Sequence, residues 1–381
     1  MFATSCAIAA ANSLPSETNT MGKIILDVRR VGFRNNMPDG DTRSPETFAF
    51  PACMTSMLEC MGEDVKWRDI QAHNREWTER FLNKEIIAAT GIGFGLLWSK
   101  EYCPSSTDLT QVNADHNDTI RLAFDYAGYA CEIIDKTNGN KTAMRDKIFA
   151  SLKAGRPVLA FGMVGPPECA IICGYDPATD SMLGWSHFQN WANVGKAENG
   201  MFIQPDWHNE NWKIAICGEK TAPQRDIKAI IKRGLAIMEA TSFCDGYYLS
   251  GYPAYDAWIA YVQNADCDTM SDDKLKSWHK FHNLLLGNHA EARCYLGNYL
   301  SANANGNEDI LAAGKNMAEI HDTCWKLWGV VGGIGAPDAW QKMRDPEKRA
   351  ELAALLTKIK QLDHDAMLAL KRAVAEQQWQ I

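Results

Sequence analysis

The sequence predicts an α+β protein: a first half that mixes helices with short antiparallel strands, then an all-helical second half. Three observations lead there. Strand-like apolar runs punctuated by Gly and Pro cluster before residue 220, and beyond Lys220 the apolar residues fall at helical spacing. No internal repeat or low-complexity linker separates the two patterns. We divide the chain into a loose tail over 1–22, an α+β domain over 23–220 and a helical domain over 221–381, firmly packed together.

The elements follow in order. Structure begins in "MGKIILDVRRV", with a strand near Ile24–Val28. The preceding twenty residues lack the basic leader and strong apolar segment of a signal peptide. In "PACMTSMLECMGE" Met54, Met57, Leu58 and Met61 share one helical face, and Gly62 ends the helix. "TIRLAFDYAGYACEIID" gives a helix ending near Gly128, then a strand over Ala130–Ile134. "AMRDKIFASLKAG" is a further helix closed by Gly155. "RPVLAFGMV" and "CAIICGYD" are strands broken by the Gly165-Pro166-Pro167 turn, and "DSMLGWSHFQ" and "NWKIAICGEK" add two more. The later helices carry start signals at Ser271 and at Asp345-Pro346.

Bulk properties limit the function. The chain has 381 residues, 46% of them hydrophobic, and a net charge of −8, so nucleic acid, which needs concentrated Lys and Arg, is not an expected partner. No run of 18 apolar residues exists to span a membrane, and a cytoplasmic protein is expected. Twelve cysteines occur without a Cys-x-x-Cys pair, which predicts neither a zinc ribbon nor a disulfide framework. Cys169 and Cys173 read as small buried residues of a strand. No metal or cofactor is expected. His279, His282, His289, His321 and His364 fall in helical contexts where solvation accounts for them.

One constellation carries chemistry. Cys53 stands beside Pro51 in the expected first turn of a helix, where the helix dipole favours thiolate. The succession "FPACMTSMLECMGE", "GYACEII", "KIFASLKAGRPVLAFG", "ECAIICGYD" resembles the papain-like peptidase superfamily, in particular the branch containing the double-glycine leader peptidases. With its helical second half, the layout is similar to the papain-like acyltransferases typified by butirosin biosynthesis protein H.

The resemblance implies a papain-like N-terminal domain with Cys53 as nucleophile and a histidine opening the Gly-Tyr-Asp strand. Glu168 stands there instead, and the oxyanion glutamine before the nucleophile is missing from "TFAFPA". Strand alternation puts Glu168, Ala170 and Ile172 on one face, which the resemblance aims at Cys53. His187 is the substitute base, or else an ordinary strand residue with a wet tip. Phe94, Trp98 and Trp185 are expected as apolar pocket wall, with Gln189 as a hydrogen-bond donor. Two readings follow: a degenerate site that binds a peptide, an amino-acid derivative or an acyl carrier, or an active thiol hydrolase or acyltransferase using Cys53 with Glu168 or His187. A homo-oligomer stays open.

Overall fold

The computed structural model describes residues 22–33, 48–65, 82–101, 109–113, 115–190, 194–333 and 336–375. Apart from Gly22, the tail expected over 1–22 lies outside these. The architecture is α+β, with antiparallel sheets and a helical C-terminal region.

The first part of the chain runs β1 (Ile24–Ile25), α1 (Ala49–Cys60), α2 (Leu82–Ala89), β2 (Leu97–Ser99), α3 (His116–Ala127), β3 (Tyr129–Asp135), α4 (Lys141–Lys153), β4 (Val158–Phe161), β5 (Cys169–Asp176), β6 (Ser181–Ser186), β7 (Gly195–Lys196), β8 (Phe202–Gln204), α5 (Trp207–Glu210) and β9 (Lys213–Lys220). The main sheet has the order β3-β9-β4-β5-β6-β8-β7, and β1 pairs with β5 past the end of β4. Gly174 makes that pairing possible, since a Cβ there would stand 2.6 Å from the Ile24 carbonyl oxygen. α3 ends where Gly128 takes a φ of 83°, a conformation glycine adopts without penalty.

The sheet is covered on both faces. α1 packs on Cys169, Ile171 and Cys173 of β5 within the main core. Met144, Ile148 and Leu152 of α4 pack on Ala170 and Ile172 in a second, smaller core. A bulge between Ile172 and Gly174 in the β5–β6 pairing leaves Cys173 unmatched, and Tyr175 then joins the second core.

The remainder comprises α6 (Ile227–Glu239), β10 (Ser242–Phe243), β11 (Tyr248–Ser250), α7 (Gly251–Gln263), α8 (Asp272–Ala302), α9 (Glu308–Val331) and α10 (Pro346–Ala375). Asp226 and Asn307 cap α6 and α9 by accepting main-chain N–H groups of Lys228 and Ile310. The expected Ser271 side-chain cap does not form, although Ser271 is the residue before α8. The all-helical expectation misses the short hairpin β10–β11, which pairs with β2 in a three-stranded sheet. Its strands are two and three residues long, too short to show alternation.

That small sheet joins the two parts of the chain, and other contacts reinforce it. The Phe94 ring lies flat against Gly234 of α6, where a Cβ would approach ring carbons to 2.4 Å. Arg293 of α8 is buried and donates to the main-chain carbonyls of Gly93, Phe94 and Gly95. Its Nε and Nη2 grip Asp363 of α10, each at 2.8 Å. Tyr255 donates to the same carboxylate at 3.0 Å and meets His289 Nε2 at 2.9 Å. One core therefore runs through residues on both sides of position 220.

The histidines of α8 depart from expectation. His282 and His289 are buried rather than solvated, flanking the Trp258 ring. His282 Nδ1 accepts the Trp258 indole N–H at 3.0 Å, so its proton sits on Nε2. Burial, then the neighbouring His279, lowers its pKa to about 3. His289 is likewise held neutral, by burial first and then by Arg293. Helical periodicity places a residue on a face but not on the wet or the dry one when aromatic neighbours surround it.

Candidate functional site

α1 begins at Ala49, two residues before Pro51, because a proline in the first turn costs no intrahelical hydrogen bond. Its first bond runs from the Ala52 N–H to the Phe48 carbonyl, at 3.2 Å. Cys53 is thus the fifth helical residue and lies in the second turn, beyond the exposed N–H groups that give a helix end its pull on a thiolate. The expected first-turn placement is corrected by that two-residue shift.

The sulfur is wholly buried, with Cys53 at 0% exposure. Its Sγ–H points to the main-chain carbonyl of Cys169 at 3.7 Å. The β5 face that meets α1 is Cys169, Ile171 and Cys173, so the alternation holds but the faces are exchanged. Ala170 and Ile172, the expected partners of Glu168 on the Cys53 side, belong to the core under α4. Glu168 itself is half-buried in the turn leading into β5, where its carbonyl accepts the Gly162 N–H at 3.0 Å. Both faces of β5 are apolar, and alternation cannot tell one dry face from the other. Burial, and next the proximity of Cys53, raises the Cys173 thiol well above its ordinary value.

The remaining expected residues have other tasks. β6 stops at Ser186, so His187 stands in the following turn; it has no wet tip, being at 0% exposure. Phe33 meets its ring edge-on at 5.1 Å. Trp185 is buried, donates its indole N–H to the Val28 carbonyl at 3.0 Å and supports the Arg30 guanidinium on its ring. Gln189 pins its own turn, accepting from the Ser186 N–H and donating to the Gly200 carbonyl, both at 3.3 Å. Phe94 packs on α6, and Trp98 of β2 packs edge-on against Tyr261 and Phe281. Phe94 and Trp98 therefore fill the junction between the two parts of the chain.

A cavity lies elsewhere among the described residues. It measures about 580 Å³ and opens between α8 and α9, with Phe33 as one wall. Tyr295, Trp325 and Trp328 supply further aromatic surface, and Glu291 and His321 supply polar atoms. Cys53 is not among its lining residues, and Phe33 is the link through which it adjoins His187. Glu291 Oε1 accepts the Phe48 N–H at 3.3 Å, tying this cavity to the start of α1. The signal for it in the sequence is slight: "HDTCWKLW" puts His321, Trp325 and Trp328 on one face of α9, but such a stripe reads as core.

Among the described residues no group of three or more His, Cys, Asp or Glu side chains could hold a metal, and no helix is long and apolar enough to cross a membrane. The ten described cysteines are free thiols. No protein-family model matches the sequence, and no curated protein matches it.

Proposed function

We propose that this chain is a papain-like protein without a working thiol centre that binds a small organic ligand between α8, α9 and Phe33. The observation that carries the reading is a roomy aromatic cavity whose lining excludes the sealed Cys53 thiol. Its size falls in the range of about 300–1,000 Å³ typical of small-molecule sites. An amino-acid derivative or one residue of a peptide fits that space, whereas an acyl carrier would enter only through its pendant group. Amide hydrolysis or acyl transfer at Cys53 would require the sulfur to reach a carbonyl carbon, and this thiol faces a main-chain oxygen inside the core.

Gly287 supplies the test. It lines the cavity, and a Cβ there would meet only Trp328, at an ordinary 3.7 Å. Gly287→Leu should intrude on the space and weaken binding of aromatic fragments observed by saturation-transfer NMR, while Cys53→Ala leaves it unchanged. Binding left unweakened by Gly287→Leu, or any turnover lost in Cys53→Ala, would refute the proposal.

A further inference from the structure

We propose that Cys131 and Cys217 form a dithiol site that low-molecular-weight disulfides oxidise, closing a covalent bond between β3 and β9. The two residues stand directly opposite each other in the antiparallel β3–β9 pairing. Residues so placed point to the same face of a sheet, with Cα atoms about 4.5–5.5 Å apart. That separation lies inside the roughly 4.4–6.8 Å that a disulfide spans between Cα atoms. Their Cβ atoms start about 4.5–5.5 Å apart and must close to about 3.8 Å. β3 is placed to yield that distance: among the described strands β9 is its one neighbour, and the register slips between Tyr129 and Cys131.

Reach sets this pair apart from another. Cys131 is half-buried, which opens it to a small reagent, while its partner Cys217 is buried. Cys53 and Cys173 also adjoin, but both are wholly buried. Burial above all pushes the Cys131 and Cys217 thiols up to about 12, with the neighbouring sulfur adding to the rise at Cys131. Thiols that resist ionising attack slowly and leave poorly, so the bond forms slowly and, once closed, resists reduction. In the first step the Cys131 thiolate attacks one sulfur of the small disulfide, whose S–S bond breaks and expels a small thiolate. Cys217, as thiolate, then attacks the Cys131 sulfur of the mixed disulfide and expels the second. Two protein thiols and one small disulfide become one protein disulfide and two small thiols, each proton passing to a departing thiolate.

The probe is 2-hydroxyethyl disulfide, applied to the full native chain at mildly alkaline pH and followed by peptide mass mapping without reduction. Exposed Cys244 serves as the reference thiol. A linked peptide pair holding Cys131 and Cys217 should be the main intrachain product, appearing after Cys244 has reacted. The linked protein should unfold at higher urea than the reduced one, because the closed loop restricts the unfolded chain. Cys131→Ser should abolish the link and leave Cys217 unmodified. Should that variant fail to fold, the map of the unaltered protein decides the matter. A mixed disulfide that persists at Cys131, or Cys131 still unreacted a day after Cys244 is fully converted, would overturn the inference. A link that forms only in urea would overturn it equally.

Discussion

Replacing Arg293 with methionine tests the junction of the two parts most directly. The side chain is 1% exposed and donates five hydrogen bonds, two to Asp363 and three to the carbonyls of Gly93, Phe94 and Gly95. Methionine keeps most of the volume but leaves a carboxylate in the core with Tyr255 as its remaining described donor. Removing one partner of a buried ion pair costs about 3–5 kcal/mol, because the other charge stays desolvated. Against a total stability of about 5–15 kcal/mol that is a large fraction. Adding Asp363→Asn removes the stranded charge, so the double variant should be more stable than Arg293→Met by about 1–3 kcal/mol. Urea unfolding followed by tryptophan fluorescence reads both steps. A midpoint for Arg293→Met equal to that of the unaltered protein, or a double variant less stable than the single one, would refute the clamp.

Further outcomes follow from the same contacts. His282 is neutral when folded, with a pKa near 3 against about 6.5 when unfolded; the unfolded chain therefore binds the extra proton as pH falls below 6.5. Stability is unaffected above that pH and should drop by about 2 kcal/mol by pH 5 on this account alone, a slope that His282→Phe should reduce in urea titrations at the two pH values. Native Cys53 should resist iodoacetamide in peptide mass spectrometry while exposed Cys244 labels readily, and Glu168→His should produce no peptidase activity in a fluorogenic assay. Gly234→Ala would drive a methyl to within 2.4 Å of the Phe94 ring, so its overpacking should exceed the gain in helix propensity and lower stability by a net of about 1–2 kcal/mol in urea.

The parts of the fold legible in the sequence are those set by local chemistry. Gly128 and Gly155 marked helix ends because their positive φ values suit glycine, and "CAIICGYD" declared a strand as a short apolar run with paired isoleucines after a Gly-Pro-Pro turn. Illegible were decisions made by distant neighbours. Which face of β5 meets α1 is settled by two apolar layers that look alike in one dimension, and it put Ala170 and Ile172 under α4 instead of beside Cys53. The start of α1 slipped by two residues because Pro51 is tolerated anywhere in a first turn. The cavity was hidden for a similar reason, since tryptophans on a helix look the same whether they fill a core or line a hole.

The Arg293 clamp also fixes an order of events during synthesis. Gly93 and Arg293 are 200 residues apart. At about 5–20 residues per second, α2 and the turn after it leave the ribosome roughly 10–40 s before the helix that buries them exists. All eight residues of α2 are buried in the finished protein, so for that interval the apolar Leu82, Ile86, Ile87, Ala88 and Ala89 lack their cover. Slowing translation between residues 100 and 290 should therefore lower the soluble yield rather than raise it.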